Sequence, residues 1–290
     1  MITDKNFQKQ KADNFLAQHK SSDILILQNV WDAASTKIFE KENYKAVGTT
    51  SAGISAVLGY PDGQQMRFEE SLPIIRRIIE CTNLPVSVDI EAGYSDTVSG
   101  VVETAQKALE LGAVGINLED STGDHSNDSS KALYDIQTQC EKISAIRKMA
   151  EKEDINFVIN ARTDVFLLST GSIKDKISHA VERANYYKKA GADCIFVPDV
   201  GDFNKNIIQS LVNKINAPVN IIAGANTPSI SELEKIGVSR VSFGPRVMRA
   251  AFDLIRSIAK KIQSKGTYKQ ISKVNITYSE VNHWFKNNKE

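Results

Sequence analysis

Short runs of β-branched residues alternate along this 290-residue sequence with longer segments of helical periodicity, and this alternation constrains the fold more than any other feature. It is typical of βα units, in which helices join parallel strands. Eight such units can be recognised, and each run is nearly continuous in apolar residues, as expected for a strand covered on both faces. The predicted strands are Ile24–Val30, Ala46–Ser51, Pro85–Glu91, Val114–Asp120, Phe157–Thr163, Cys194–Val200, Val219–Gly224 and Arg240–Pro245.

The segments between these strands predict amphipathic helices. Apolar residues recur every three or four positions over 68–79 and again over 173–184. Three helix-to-strand joints carry a glycine, at Gly112, Gly191 and Gly237. The number of units and the chain length favour closure into an α/β fold, the (β/α)8 TIM barrel. An open doubly wound sheet is the alternative, but no G-x-G-x-x-G motif follows the first strand.

Two segments lie outside the eight units. The residues before Ile24 predict an N-terminal helix that closes the bottom of the barrel, so residues 1–266 are expected to form a single domain. Residues 267–290 have no place in the eight-unit count and predict a C-terminal helical tail. This tail can pack on the barrel or on a neighbouring subunit.

Charge and cysteine content limit the expected partners. Lys plus Arg, 36 residues, nearly balance the 35 Asp plus Glu, so no net field favours nucleic acid or an anionic membrane. The three cysteines are far apart and lack CxxC spacing, which argues against disulfides and structural zinc. No apolar run approaches the roughly 18 residues of a membrane span. We therefore expect a cytoplasmic protein that acts on a small molecule.

Acidic residues gather at the carboxyl ends of the third and fourth predicted strands, where a TIM barrel carries its active site. Because side chains alternate along a strand, we expect Asp89 and Glu91 to share the inner face with Glu119. Unpaired acids inside a barrel would repel one another unless a cation joined them. Oxygen ligands without His or Cys select Mg2+ or Mn2+. Asp120 and Asp164 are as well explained as helix caps.

One arginine, Arg162, joins this set from the end of the fifth strand. Its planar guanidinium suits a carboxylate or a phosphate, and a metal beside it would polarise a carbonyl or enolate oxygen. The implied substrate is a small 2-oxo or enol acid. Thr50 and Ser51 either contribute to this site or satisfy a turn. The polar loop Ser121–Ser130, which contains His125, is either a lid or a connector.

Four motifs carry a resemblance to a known family: TTSAGISAVLGYPDGQ, VSVDIEAG, GINLEDSTG and INARTDVFL, in this order. With them the chain resembles the isocitrate lyase/phosphoenolpyruvate mutase superfamily from Leu27 to about Gly266. The resemblance implies a barrel of the phosphoenolpyruvate/pyruvate-domain type that uses Mg2+ to stabilise an enolate while a carbon–carbon or phosphorus–carbon bond is made or broken. It also implies a homo-oligomer, a dimer or a tetramer, whose subunits exchange a C-terminal helix.

The resemblance further implies a metal site. Asp89 is expected to bind the ion directly, while Asp62, Glu91 and Glu119 surround it and act through bound waters. Glu119 is also expected to take part in catalysis. Glu91 stands where the family more often has Asp, which lengthens that side chain by a methylene group. Asp62 is assigned only through the resemblance, because the residues alone identify a turn at Tyr-Pro-Asp-Gly.

A substrate site next to this ion is implied in the same way. Arg162 and the turn formed by Thr50, Ser51 and Ala52 are expected to hold the carboxylate and carbonyl oxygens of the substrate. Arg162 is also expected to be catalytic. Asn127 is expected to match a catalytic asparagine in the loop of the mutases and phosphonopyruvate hydrolases.

Departures from the family pattern narrow the expected reaction. The lyases carry a cysteine acid–base group in the loop that corresponds to Ser121–Ser130, and this loop has no cysteine, so cleavage of isocitrate or methylisocitrate is not expected. We expect a Mg2+-dependent lyase, decarboxylase or hydrolase that makes or breaks a carbon–carbon bond in a small 2-oxo or 2-hydroxy acid. The alternatives are a phosphoenolpyruvate phosphonomutase or phosphonopyruvate hydrolase, and a barrel that binds a metabolite without turnover. A Schiff-base aldolase would need an inward lysine at a strand end, and the predicted ends have none.

Overall fold

The computed structural model describes residues 4–123, 132–199 and 203–286. Eight parallel strands pair in chain order, and the eighth closes the barrel by pairing with the first. The predicted (β/α)8 TIM barrel is thereby confirmed. The strands are β1 (Leu25–Val30), β2 (Val47–Thr49), β3 (Val86–Asp89), β4 (Gly115–Glu119), β5 (Val158–Arg162), β6 (Cys194–Val197), β7 (Val219–Ile222) and β8 (Arg240–Ser242).

Helices surround this barrel, and several begin at a residue whose side chain accepts a backbone N–H of the first turn, such as Asp32, Thr97 and Asp135. None of the helices in the described ranges is both long and apolar enough to cross a membrane. The helices are α1 (Lys5–His19), α2 (Ala33–Lys41), α3 (Ser51–Leu58), α4 (Phe68–Glu80), α5 (Val98–Glu110), α6 (Ile136–Lys152), α7 (Val165–Leu168), α8 (Ile173–Ala190), α9 (Lys205–Lys214), α10 (Ile230–Ile236), α11 (Arg246–Lys265) and α12 (Tyr278–Trp284).

In seven of the eight strands, the predicted C-terminal residue lies beyond the residue at which the observed strand ends. The difference matters most at β3, which stops at Asp89 rather than at Glu91. Glu91 adopts the left-handed backbone conformation, with a φ of 48°, so side chains no longer alternate beyond the strand. Strand alternation, on which we based a shared face for Asp89 and Glu91, therefore ends at Asp89, and the shared face stays a prediction.

Helix α1 lies across the N-terminal end of the barrel. Its Phe15 ring is fully buried beside Gly115, the first residue of β4, where a Cβ atom would lie 3.2 Å from that ring. Gln8 donates its side-chain amide to the carbonyls of Leu109 and Ala113, at 2.8 and 2.9 Å. The same Cβ atom would lie 2.7 Å from the backbone oxygen of Val158, so both the neighbouring strand and the helix approach Gly115 closely.

The C-terminal part of the chain is much more exposed than the barrel. Helix α11 buries only Met248 and ends at Gly266, which has a φ of 59°. Beyond it lie a short 3-10 helix, Ile271–Lys273, and helix α12, in which Trp284 is buried. The division into a barrel domain of residues 1–266 and a tail of residues 267–290 stays a prediction.

Candidate functional site

A cavity of about 190 Å³ opens at the carboxyl ends of the strands. Its wall combines backbone and side chains from most strands of the barrel, including Gly48 of β2 and Phe196 of β6. Six of the residues predicted to form the site line this cavity: Thr50, Ser51, Ala52, Asp62, Asp89 and Arg162. The sequence-based prediction therefore identified residues that lie together, although Glu91 and Glu119 do not belong to the cavity wall.

The carboxylate of Asp89 is held by groups from three elements. Its Oδ2 atom accepts the backbone N–H of Ser51 at 3.1 Å, and Oδ1 accepts the side-chain amide of Asn117 at 3.0 Å. The backbone N–H of Asp89 donates to the hydroxyl of Thr49 at 2.8 Å. These contacts fix one carboxylate at the start of helix α3 and leave acceptor capacity on both oxygens.

The turn formed by Thr50, Ser51 and Ala52 carries the first turn of α3 into the cavity wall. Thr50 caps the helix by accepting the backbone N–H of Gly53 at 3.4 Å. The N-terminus of a helix presents backbone N–H groups and a partial positive charge. This wall therefore suits an anionic oxygen, as the resemblance implies.

Asp62 lies at the exposed rim of the same cavity, in the connection between α3 and α4. Partial removal of its carboxylate from water raises the pKa of Asp62, and the charge of Asp89 raises it further. The negative charges of Asp62 and Asp89 therefore repel each other, and a bound cation would relieve this repulsion.

The donor set fits Mg2+, which takes one or two carboxylates and keeps several waters. Asp89 and Asp62 supply two oxygen-bearing side chains, and neither His nor Cys lines the cavity. Within the described ranges, no group of three or more His, Cys, Asp or Glu side chains is close enough to enclose an ion. The described part of the chain therefore fits an ion with open coordination positions rather than a protein cage.

Glu91 follows β3 in a left-handed backbone conformation, and its carboxylate is held by the loop beside the cavity. Its carboxylate accepts the hydroxyl of Tyr94 at 2.5 Å and the backbone N–H of Gln64 at 2.8 Å. Burial raises the pKa of Glu91 to about 7, although the Tyr94 hydrogen bond opposes this shift. Its geometry ties down the loop beside Asp62 instead of providing a third acid in the cavity wall.

Arg162 is oriented by two buried acids. Its Nη1 atom lies 2.7 Å from Glu119, and its Nε and Nη2 atoms contact both oxygens of Asp164, at 2.5 and 2.9 Å. Burial alone would lower the pKa of Arg162, but the charges of Asp164 and Glu119 raise it above its usual value. The guanidinium has five N–H donors, so one on each terminal nitrogen is left for a ligand in the cavity.

Burial also shifts the pKa values of Glu119 and Asp164, the two acids that contact Arg162. Burial raises the pKa of Glu119 well above its ordinary value, and Arg162 opposes the shift. The pKa of Asp164 is raised for the same reason. Glu119 thus pairs with Arg162, while the nearby charge of Asp89 also raises the pKa of Glu119.

Asp164 is a site residue that the sequence reasoning did not identify as a partner of Arg162. It occupies the cap position of α7 without capping it through its side chain. The spacing of two residues from Arg162 was the available signal. Asp120 is neither a cap nor a cavity residue, since its carboxylate accepts from Arg183 at 3.0 Å and from Tyr187 at 2.7 Å.

The loop prediction lies partly outside the described residues. Asn127 and His125 both fall there, so their predicted roles stay predictions. The described base of the loop is an antiparallel bridge between Ser121 and Leu133.

Comparisons with known proteins agree with this architecture. A sequence profile of the phosphoenolpyruvate phosphomutase family matches residues 15–263. An uncharacterized protein of Mycobacterium tuberculosis is 32% identical over 228 residues, which cover 78% of this chain and 80% of that protein. The 2-methylisocitrate lyase of Halalkalibacterium halodurans is 28% identical over 268 residues, which cover 90% of this chain and 84% of the lyase.

The similarity extends to a solved structure. A crystal structure from Burkholderia cenocepacia J2315, described as that of a lyase/mutase, matches this fold with a TM-score of 0.86. The two sequences are 30% identical, and the match covers 97% of each chain. The extent of the family match shows that this chain belongs to the phosphoenolpyruvate phosphomutase family, within the PEP mutase/isocitrate lyase superfamily.

Proposed function

We propose that this protein is a Mg2+-dependent lyase, decarboxylase or hydrolase that makes or breaks a carbon–carbon bond in a small 2-oxo or 2-hydroxy acid. The observation that carries the proposal is the placement of Asp89 and Arg162 in the wall of one cavity. An acid suited to a cation and a guanidinium with unused donors thus line the same small cavity.

Each residue of the wall has a separate task in this proposal. Asp89 and Asp62 would hold Mg2+, which when bound polarises a carbonyl oxygen and stabilises the negative charge of an enolate. Arg162 would bind the substrate carboxylate through its two remaining N–H groups. The backbone N–H of Ala52 would orient the neighbouring oxygen, while that of Ser51 holds the carboxylate of Asp89. Glu119 and Asp164 would keep the guanidinium in place.

A phosphonomutase or phosphonopyruvate hydrolase is the second candidate. The family profile that matches residues 15–263 favours it, because that profile bears the phosphomutase name. The same wall accommodates either chemistry, since a phosphonate and a carboxylate both need N–H donors. Incubation with oxaloacetate and with phosphonopyruvate, followed by product analysis, separates the two. Pyruvate or oxalate formed from oxaloacetate supports carbon–carbon chemistry, whereas release of phosphate or formation of phosphoenolpyruvate from phosphonopyruvate supports the second candidate.

Metal binding tests the proposal without knowledge of the substrate. Titration of Mg2+ into the Asp89→Ala variant should give an affinity at least about tenfold weaker than in the wild type, because a carboxylate ligand is lost. Asp154→Ala removes a carboxylate that lies on the surface near Lys9 and serves as the control. Unchanged Mg2+ affinity in Asp89→Ala would contradict the assignment. Metal binding without turnover of any 2-oxo acid or phosphonate in a broad panel would favour the metabolite-binding barrel.

We also propose a cytoplasmic homo-oligomer, a dimer or a tetramer. Exposed apolar residues on α11 and the tail support this, such as Ile255, Val274 and Tyr278, which are 61%, 66% and 88% exposed. Apolar surface of this kind is usually covered by a partner. Light scattering should give a multiple of the 32.0 kDa chain mass, and a monomer would contradict the proposal.

A further inference from the structure

The interior of the barrel is unusually polar directly below Asp89. Strand register and alternation place Leu27, Ser87, Asn160 and Asn220 at one level, on alternate strands. In TIM barrels such a layer is dominated by Val, Ile and Leu. Here three of its four members are polar, although Asn160 and Asn220 are fully buried and Ser87 is 2% exposed.

Arg240, the first residue of β8, lies one level deeper and lines the same cavity as Asp89 and Arg162. It is 3% exposed, and no carboxylate in the described part of the chain lies within ion-pair distance of it. Its Nη1 atom lies 3.4 Å from Nε2 of His19. Burial lowers the pKa of His19 to about 3, so this ring is neutral, and its Nδ1 atom lies 2.8 Å from the Phe15 carbonyl. The described partners of Arg240 thus leave a buried cation without a counter-charge.

The depth of Arg240 follows from the strand register. Arg162 pairs with Phe196, Phe196 with Asn220, and Asn220 with Arg240. Each step between strands spaced about 4.8 Å apart and tilted by about 36° descends the barrel axis by roughly 3 Å. The backbone of Arg240 therefore lies about 8 Å below that of Arg162. The cavity has one guanidinium at its mouth and another at its floor.

Several donors at this floor have no acceptor. Within the described residues, the Nε atom of Arg240 and the hydroxyl of Ser87, which line the cavity, are buried without a hydrogen-bond partner. The same holds for the Nδ2 atom of Asn220, next to Arg240 behind the cavity wall, and for one acceptor at this level, Oδ1 of Asn160. Buried donors are normally satisfied, and each unsatisfied one is costly. Three donors together, one of them cationic, are the complement of a small oxyanion.

We propose that Arg240, Ser87 and Asn220 form a second anion-binding site, the floor site, which takes the far carboxylate or phosphonate of a substrate whose 2-oxo or 2-hydroxy acid end meets Arg162 and Asp89. This inference rests on the proposed function and specifies its substrate class: a compact dianion with anionic groups at both ends. Monoanions lack the group that the floor site recognises.

The test compares malate with lactate, which share the 2-hydroxycarboxylate end and differ in the second carboxylate. With Mg2+ present, calorimetry on the wild type should show malate bound at least about tenfold more tightly than lactate. Arg240→Met should weaken malate binding by about ten- to a hundredfold and leave lactate binding within about twofold. Equal affinities of the wild type for malate, phosphonolactate and lactate would overturn the floor site.

Phosphonolactate, 2-hydroxy-3-phosphonopropionate, distinguishes the two possible far groups. If the floor takes a phosphonate, this compound rather than malate should bind more tightly than lactate, and Arg240→Met should remove that preference. If all three compounds fail to bind the wild type, the proposed function fails and the floor site with it. If they bind but Arg240→Met weakens each equally, only the floor site fails.

Two further variants separate recognition from structure. His19→Phe removes the described hydrogen-bond partner of Arg240 without altering the cavity wall, and its affinity for malate should match that of the wild type. Arg240→Met should have a thermal midpoint at or above that of the wild type, because an unpaired buried charge is removed. A lower midpoint with unchanged malate affinity would make Arg240 structural. Ser87→Ala, a smaller change, should weaken malate binding by about three- to tenfold and spare lactate.

Discussion

The two ends of the barrel bury their polar groups in different ways. At the N-terminal end, backbone carbonyls take most of the donors: Gln8 donates to two, and Arg147 donates to those of Phe157 and Gly191 as well as pairing with Asp193. At the carboxyl end, charged side chains are matched to one another, and donors on Arg162 remain unused. Buried polar groups thus occur at both ends of the barrel, whereas at the carboxyl end the guanidinium of Arg162 keeps donors free beside a cavity.

The largest effect is expected at the carboxyl end. Arg162→Met should reduce turnover about a thousandfold, because a bidentate contact to the substrate carboxylate is lost. It also removes the charge that lowers the pKa values of Glu119 and Asp164, so both rise further. A carboxyl with a raised folded-state pKa loses stability as pH rises, so this variant should be more stable at pH 5 than at pH 8. Arg76→Met, on the exposed face of α4, is the control, and equal activity in the two variants would contradict the assignment.

A purely structural effect is expected at the opposite end. Arg147→Met should lower the free energy of unfolding by about 3 kcal/mol, because two carbonyls and Asp193 lose a buried donor. Activity per folded molecule should be unchanged. Lys148→Met, at the exposed neighbouring position, should have little effect in denaturant titrations. A loss of activity in Arg147→Met with normal stability would contradict a purely structural role for the N-terminal end of the barrel.

Acid titration of His19 gives a smaller effect. Its pKa is about 3 in the folded protein and about 6.5 in an unfolded chain, so the wild type loses stability as pH falls below about 6.5. His19→Phe lacks this loss and should gain about 2 kcal/mol relative to the wild type at pH 5, compared with the difference between them at pH 8. Parallel stability curves for the two proteins between pH 8 and pH 5 would contradict neutral burial of this ring.

The smallest effect is expected for Gln8→Met, which leaves two carbonyls without a side-chain donor. The free energy of unfolding should fall by about 1 to 2 kcal/mol. Gln10→Met, at an exposed position of the same helix, should be nearly neutral in the same denaturant titration. A similar loss in both variants would indicate an effect of helix propensity rather than of the carbonyl contacts.

Much of the fold could be predicted from the sequence because the eight apolar runs and their spacing determine the barrel. The placement of Asp89 and Arg162 in one cavity follows from the same pattern, since both end a strand and alternation directs both inward. Glu91 could not be placed, because its left-handed conformation depends on the contacts of the loop rather than on the strand period.

Other parts of the site depend on tertiary structure. Asp62 lies in a turn after α3, and its approach to Asp89 requires the barrel to be folded. Arg240 resembles an ordinary charged residue at the start of a strand, where exposure is the usual expectation. Only strand register and closure show that it points into the same cavity as Arg162. Pairs such as Arg162 and Asp164 could have been recognised by their two-residue spacing.

The contact between Phe15 and Gly115 has a consequence for the interior of the barrel. The helix that covers this end lies outside the eightfold repeat, and its Phe15 ring packs beside a strand residue that has no side chain. A chain that began after this helix would retain every βα unit but lose its base. Bulk water could then enter through the N-terminal end and hydrate Arg240, and a cavity closed at one end would become a channel open at both ends.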